Sequence, residues 1–186
     1  MSGLAPGTAA TEATGTIETF AEGGAVTCGA PSVNPPALGA PQAGDPGTDF
    51  LDVFGLSMFE PTREKALVRF RAWAADPSVT ILAHRAAPEA GGRPGAGAGR
   101  IDGCIAYRRD GNGLELLNIG TAPAARGTGL GRRLIEAAIG REGPASVRLE
   151  TDNDAVGFYR RCGFSVTSLG EKFPGIERFE CRLARR

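Results

Sequence analysis

Thr121–Arg133 reads TAPAARGTGLGRR. An apolar run, LELLNIG, comes before it and another, LIEAAI, comes after. Glycine and arginine crowd into the junction between a strand-like and a helix-like segment, which is where backbone N–H groups and a helix dipole hold phosphate. A nucleotide P-loop needs GxxxxGK and then Ser or Thr, and no lysine stands here. A dinucleotide loop needs GxGxxG directly after a strand and an acid about 20 residues on. Gly127, Gly129 and Gly131 follow a strand and Glu150 ends the next one, but Leu134 occupies the third glycine position, and Pro123 and Arg126 separate strand from glycines. What remains is Arg126-Gly127-Thr128-Gly129-Leu130-Gly131, an R-x-x-G-x-G pattern.

Working outward, the chain alternates two periodicities. Residues 60–77 read as a helix, with Pro61 in its first turn and Leu67, Val68, Phe70 and Trp73 recurring at helical spacing. SVTILAHRA, RIDGCIAYRR and GLELLNIGT read as strands, the last two joined by a hairpin turn at RDGNG. Thr128 to Ile139 reads as a helix with Leu130, Leu134, Ile135 and Ala138 on one face. ASVRLET is a strand. Asp152 or Asn153 can cap a helix that runs to Cys162 and stops at Gly163. FSVTSLG and IERFECRL are two final strands. DFLDVFGLSMF, near residue 49, fits helix or strand. The order is that of an α/β layered fold with a mixed central β-sheet flanked by helices.

The first 48 residues differ in kind. Ala, Gly, Pro and Thr make up 32 of them, and they hold four acids (Glu12, Glu18, Glu22, Asp45) but no Lys or Arg. Such a stretch buries too little apolar surface to offset its ordering entropy. It is expected to be a disordered arm, residues 1–48, with a short helical piece at most near Thr16–Ala21, before a folded domain at 49–186. The whole chain balances 21 basic against 21 acidic residues. The 138 residues after the arm therefore carry 21 basic and 17 acidic side chains, a net +4. That suits a small anionic ligand and gives no argument for nucleic acid or a membrane surface. No apolar run of membrane-spanning length and no signal-like N-terminus is present. Cys28, Cys104, Cys162 and Cys181 are widely spaced and His84 stands alone, so no metal site is expected, and the thiols read as those of a reduced cytoplasmic protein.

A second motif lies at 150–164, ETDNDAVGFYRRCGF. Asn153, Ala155, Tyr159, Gly163 and Phe164 stand at the spacing typical of the GCN5-related N-acetyltransferases (GNAT superfamily), and R-x-x-G-x-G at 126–131 resembles their pyrophosphate loop. The two motifs occur in the order that superfamily shows, one helix and one strand apart. The resemblance covers about residues 57–183 and implies a GNAT-like fold and acetyl-CoA as co-substrate. The superfamily's first strand is not evident in the sequence.

The resemblance implies roles for particular residues. Arg126, Gly127, Thr128, Gly129, Leu130, Gly131 and Arg132 would hold the pyrophosphate. Ile119, Gly120 and Thr121 would bond the pantetheine arm through their backbone, with an N–H near Ile119 polarising the thioester carbonyl. Asn153 would cap its helix and touch the cofactor arm. Tyr159 would protonate the departing thiolate. Glu115, eleven residues before Arg126, matches the general base of the histone-acetylating branch. Strand alternation puts Glu115 on a face with Leu117 and Ile119, an apolar setting that would raise it from about 4.3; the other reading is a solvent-facing charge beside the hairpin turn. Glu171 and Glu177, near the last hairpin, would favour a cationic amine. The acceptor is then a small-molecule or protein amine; a homodimer stays open, and the reading from another class is a non-catalytic acyl-CoA sensor. Gly129→Glu is expected to abolish coenzyme A binding, since a carboxylate would occupy the pyrophosphate position; calorimetry showing unchanged affinity would refute the loop assignment.

Overall fold

The computed structural model describes residues 15–21, 24–27, 48–87 and 99–184. Its strands are β1 (Gly15–Ala21), β2 (Gly24–Thr27), β3 (Val79–Ala86), β4 (Ile101–Asp110), β5 (Gly113–Thr121), β6 (Ser146–Asp152), β7 (Ser165–Phe173) and β8 (Ile176–Ala184). Its helices are α1 (Thr48–Gly55), α2 (Arg63–Ala74), α3 (Leu130–Glu142) and α4 (Asn153–Arg161). The strands form one mixed sheet in the order β2-β1-β3-β4-β5-β6-β8-β7. β5 and β6 run parallel, and every other pairing is antiparallel. A parallel pair needs a crossover between its members, and α3 supplies it.

Alternation along the strands divides the core in two. On one face Leu82, Ile105, Tyr107, Leu116, Val147 and Leu149 pack with Leu130, Leu134, Ile135 and Ala138 of α3 and with Tyr159 of α4. On the other face Ile81, Ala83, Cys104 and Ala106 pack under Phe50, Leu51, Val53 and Phe54 of α1 and Ala66 of α2. Rings finish this second layer: Phe54 meets Trp73 edge-on at 5.6 Å and Phe70 at 6.3 Å. Trp73 is thus a packing residue, as its spacing implied. Val68 is not, because it lies 62% exposed on the outer side of α2.

Helix ends follow local chemistry. Thr62 caps α2 by accepting from the Lys65 N–H at 3.2 Å, and Asp152 caps α4 by accepting from Asp154 N–H and Ala155 N–H. Caps of this kind contribute about 1 kcal/mol each. α3 begins two residues later than its apolar spacing suggested. Gly129 stands at its N-cap with φ +80°, while the Thr128 hydroxyl turns back to donate to the Ala125 carbonyl at 2.7 Å.

The expected 1–48 arm needs correction where it is described. β1 lies between β2 and β3, with Gly15 opposite Ala86 and Phe20 opposite Ile81, so this stretch is strand and not helix. Composition argued from apolar area, whereas β1 is held by backbone pairing along the edge of β3, which needs few large side chains. The remainder of 1–48, apart from β2 and Thr48, lies outside the described residues, as does the glycine-rich stretch 88–98. The ambiguous segment near residue 49 is helix, because Phe50, Leu51, Val53 and Phe54 bury one helical stripe on the sheet.

His84, expected to be an ordinary strand residue, is buried on β3 with its Nδ1 2.5 Å from the Asp102 carboxylate. Cys104 lies fully buried beneath α1, and desolvation pushes its thiol from 9.0 up to about 12. An unfolded chain ionises that thiol first, so the stability it lends is complete below pH 9 and is lost as pH rises towards 12. The melting temperature of Cys104→Ala should therefore fall less steeply over that interval than that of the parent; parallel slopes in a thermal-melt series would contradict the assignment.

Candidate functional site

The site is built where two strands part. β5 and β6 pair at Gly113–Ser146, Leu114–Val147 and Glu115–Arg148 and no further. Beyond that point the edge of β5 that faces β6 has no strand partner among the described residues, although its other edge stays paired with β4 as far as Thr121. Open backbone N–H and C=O groups in the middle of a sheet call for a partner that can bond as a strand does. Ile119, Gly120 and Thr121 lie on this open edge.

A β-bulge sits beside the parting. Ala106 pairs with Asn118 and Tyr107 with Leu116, which leaves Leu117 as an extra residue in β5. The bulge shifts the alternation by one residue. Leu114, Leu116 and Ile119 face α3 and α4, while Leu117 packs in the α1 layer with Ala106. Asn118 turns the same way: its Nδ2 donates to the Phe54 carbonyl at 3.0 Å and its Oδ1 accepts from the Ser57 hydroxyl at 2.6 Å. Glu115 therefore shares a face with Leu117 but not with Ile119, contrary to simple alternation. Asn118 fastens the end of α1 to the bulge. Sequence reading overlooked it, and its signal was a polar residue in the middle of an apolar strand. Gly120 adds a second tie, since a Cβ there would run into the Val53 carbonyl oxygen, so α1 lies directly against the open stretch of β5.

The open edge leads into the glycine loop. A 3₁₀ turn at Pro123–Ala125 carries the chain to Arg126, and α3 then starts with no side chain capping it. Its first-turn N–H groups keep no intrahelical acceptor. Gly127 and Gly129 both have positive φ (77° and 80°), and a Cβ at either would meet nothing within 4 Å, so the space in front of these residues is open. Gly131 is required for another reason: its Cβ would press on the Phe158 ring at 3.0 Å, where α3 and α4 touch. Arg132 lies exposed and forms an i,i+4 pair with Glu136 at 2.8 Å. Arg133, which sequence reading did not single out, has a buried Nη2 with no hydrogen-bond partner among the described residues.

Tyr159 is 6% exposed on α4, between Phe158 (5.0 Å) and Phe164 (5.6 Å), both edge-on. Burial pushes its phenol well above the usual range, with Cys181, Cys162 and Asp152 adding in the same direction. It keeps its proton throughout the physiological range. Asn153 is exposed at the first position of α4, and the cap belongs to Asp152 instead.

Glu115 is not in the apolar setting expected of it. It stands opposite Arg108 on β4 and Arg148 on β6, with contacts of 3.8 and 3.4 Å. Arg108 continues to Asp76 at 3.3 Å and Arg148 to Asp110 at 3.0 Å, so the carboxylate is the middle link of an ion-pair chain running across the sheet. A cleft of about 260 Å³ opens just past it, lined by Glu115, Leu117, Arg148, Glu150, Arg178 and Glu180 among others. Glu171 and Glu177 face each other across the exposed β7–β8 hairpin, away from this lining, and Tyr107 is buried with its hydroxyl donating to Glu142 at 3.0 Å.

A parted parallel pair whose open edge runs into a glycine-lined helix N-terminus defines a GNAT-type fold. Residues 92–166 match the Acetyltransferase (GNAT) domain family. Among solved structures, a protein assigned to the GNAT family from Desulfovibrio desulfuricans superposes with a TM-score of 0.55 and 19% identity over 75% of this chain and 93% of its own. The ribosomal-protein-S18-alanine N-acetyltransferase from Escherichia coli gives 0.55 and 18% over 73% of this chain and 85% of its own. A protein assigned as a streptothricin acetyltransferase from Bacillus anthracis, solved with acetyl coenzyme A, gives 0.50 and 21% over 63% and 68%. No curated protein matches the sequence. Residues 92–166 are thus similar to a GNAT acetyltransferase domain, and the chain shares the fold of these solved proteins.

Asn118→Ala should lower stability by about 1–3 kcal/mol, because it leaves the buried Phe54 carbonyl and the Ser57 hydroxyl without their partner. Urea melts check this; a midpoint shift no larger than that of an exposed Asn153→Ala control would show that the tie carries no strain-bearing load.

Proposed function

We propose that the protein transfers the acetyl group of acetyl-CoA to a primary amine by direct attack within a ternary complex. The observation that carries this reading is the continuity of the open β5 edge with the uncapped start of α3. One surface thereby offers strand-like bonds to a pantetheine arm and, next to them, N–H groups to its pyrophosphate. Gly127, Thr128, Gly129, Leu130, Gly131 and Arg132 take the pyrophosphate, with Arg126 adding charge and Arg133 supplying a nitrogen that lacks a partner. Ile119, Gly120 and Thr121 take the arm, and Asn153, exposed at the start of α4, borders it. The acetyl-CoA complex of the Bacillus anthracis protein supports the choice of ligand.

In the reaction the amine nitrogen attacks the thioester carbonyl carbon. A C–N bond forms, the oxygen draws charge that the N–H near Ile119 stabilises, and the C–S bond then breaks. The thiolate takes a proton from Tyr159, whose buried phenol is protonated at every relevant pH. The amine proton passes to Glu115, directly or through water. Glu115's engagement by two arginines is the observation that favours the other reading, a module that binds acyl-CoA without turnover.

Two variants separate these roles. Tyr159→Phe should lower kcat by roughly 10²–10⁴-fold with a much smaller change in acetyl-CoA affinity; a loss confined to affinity would make the residue a packing element. Glu115→Gln should lower kcat at constant melting temperature if the carboxylate takes the proton, whereas a fall in melting temperature with kcat kept would reduce it to a strand-pairing charge. Release of free coenzyme A is the readout for both.

A further inference from the structure

Granted that the cleft past Glu115 is the acceptor side of an acetyltransferase, its charges identify the acceptor further. We propose that the acceptor is an amphoteric small molecule of the α-amino acid class, with its carboxylate held by Arg178 and its reacting amine placed by Glu150.

The placement comes from strand register. Glu150 lies two residues past Arg148, the last β6 residue paired with β5, so it stands where the strands have parted. β8 pairs with β6 on its far side, setting Glu180 opposite Glu150 and Arg178 opposite Asp152. Strand alternation then puts Arg148, Glu150, Asp152, Arg178 and Glu180 on the face that Glu115 occupies. That face is reached from the open edge of β5, where the thioester would lie.

The cations on it are not equally committed. Arg148 is bonded at 3.0 and 3.4 Å, Arg182 pairs with Glu180 at 2.8 Å, and Lys172 pairs with Glu150 at 3.2 Å. Arg178 comes no closer than 4.0 Å to either Glu150 or Asp152, beyond hydrogen-bond range, although its side chain is only 28% exposed. Its planar fork is suited to a carboxylate in two parallel bonds. The ammonium and carboxylate of an α-amino acid are separated by only two bonds to a shared carbon. They can bridge the 4.0 Å between Arg178 Nη2 and Glu150 Oε2 with like charge meeting unlike at both ends. A polycation would face Arg148 and Arg178 in the same cleft, and like-charge contact rejects such a ligand. A volume of about 260 Å³ falls below the usual span of roughly 300–1,000 Å³ for drug-sized ligand sites, which suits an acceptor of only a few heavy atoms and not a folded protein segment.

The test measures coenzyme A release with L-α-amino acids, their methyl esters, the corresponding decarboxylated amines, spermidine and a short peptide, and acetyl-CoA binding is measured in parallel by calorimetry. The expected result is a kcat/KM on the order of 10–100-fold higher for free acids than for esters or decarboxylated amines, the span of one charge-assisted contact. Arg178→Gln should narrow that gap mainly through KM, and Arg178→Lys should restore part of it. Equal or better turnover of esters, decarboxylated amines, spermidine or peptide overturns the inference and leaves acetyl transfer standing. So does a gap that survives unchanged in Arg178→Gln. Acetyl-CoA binding with no turnover of any acceptor sinks this inference and the transfer reading together.

Discussion

Everything at the site depends on β5 and β6 ceasing to pair after Glu115 and Arg148. A parallel pair that stayed closed would satisfy its own backbone and leave nothing for a ligand to bond. Parting exposes N–H and C=O groups along one inner edge, and such groups are costly unless something occupies them. The sheet tolerates the opening because its two halves are held separately. On one side β4 and β5 remain paired to Thr121; on the other, β6 is paired to β8 along its whole length, from Ser146–Ala184 to Asp152–Arg178. α3 and its cluster then bridge the two halves from one face, through Leu134, Ile135 and Ala138 against Leu116, Val147 and Leu149.

The bulge at Leu117 turns this opening into a site with two unlike sides. Without it, Ile119 and Glu115 would share a face, and the open edge would present acids and apolar groups to the same ligand. With it, Ile119 points to the α3–α4 layer, where Gly131, Phe158 and Tyr159 lie, and Glu115 points to the charged cleft. In the proposed reaction, donor and acceptor chemistry would then fall on different faces of one strand. Asn118 makes the arrangement stiff. Its two side-chain bonds tie the bulge to the end of α1 and to Ser57 just beyond it.

Much of this was legible in the sequence, and the exceptions have physical causes. The glycine loop and the helix ending before Phe164 were readable, because positive-φ glycines and an N-capped helix are demanded by local geometry. Both are readable within a dozen residues. The succession of helices and strands from residue 60 onward followed from periodicity for the same reason. β1 was missed because a strand held mainly by backbone bonds to its two neighbours leaves a weak side-chain pattern. The bulge was missed because an extra residue in β5 is visible only against β4, and the apolar setting predicted for Glu115 failed with it. Its two arginines, Arg108 and Arg148, lie 7 and 33 positions away in the chain, and only register brings them together. Asp152 caps α4, not Asn153 as the resemblance implied, although the residues alone allowed either neighbour.

The charged cleft was illegible for a deeper reason. α1 and α2 cover β3, β4 and the far end of β5, but the corresponding face of β6, β8 and β7 carries no helix among the described residues. A sheet face without a helix must be polar, and here that requirement is met by alternating charge: Arg148, Glu150 and Asp152 along β6 against Arg178, Glu180 and Arg182 along β8. Exposed ion pairs contribute little to stability, typically under about 1 kcal/mol each, so such a lattice is a poor reason for the fold to exist. It is a good way to hold charges in fixed positions beside an opening. Most members of the lattice are paired within 3.4 Å, and the guanidinium that is not, Arg178, lies next to the point where the strands separate. The fork of Arg178, uncommitted to a close partner at that position, is what the proposed acceptor's carboxylate would engage.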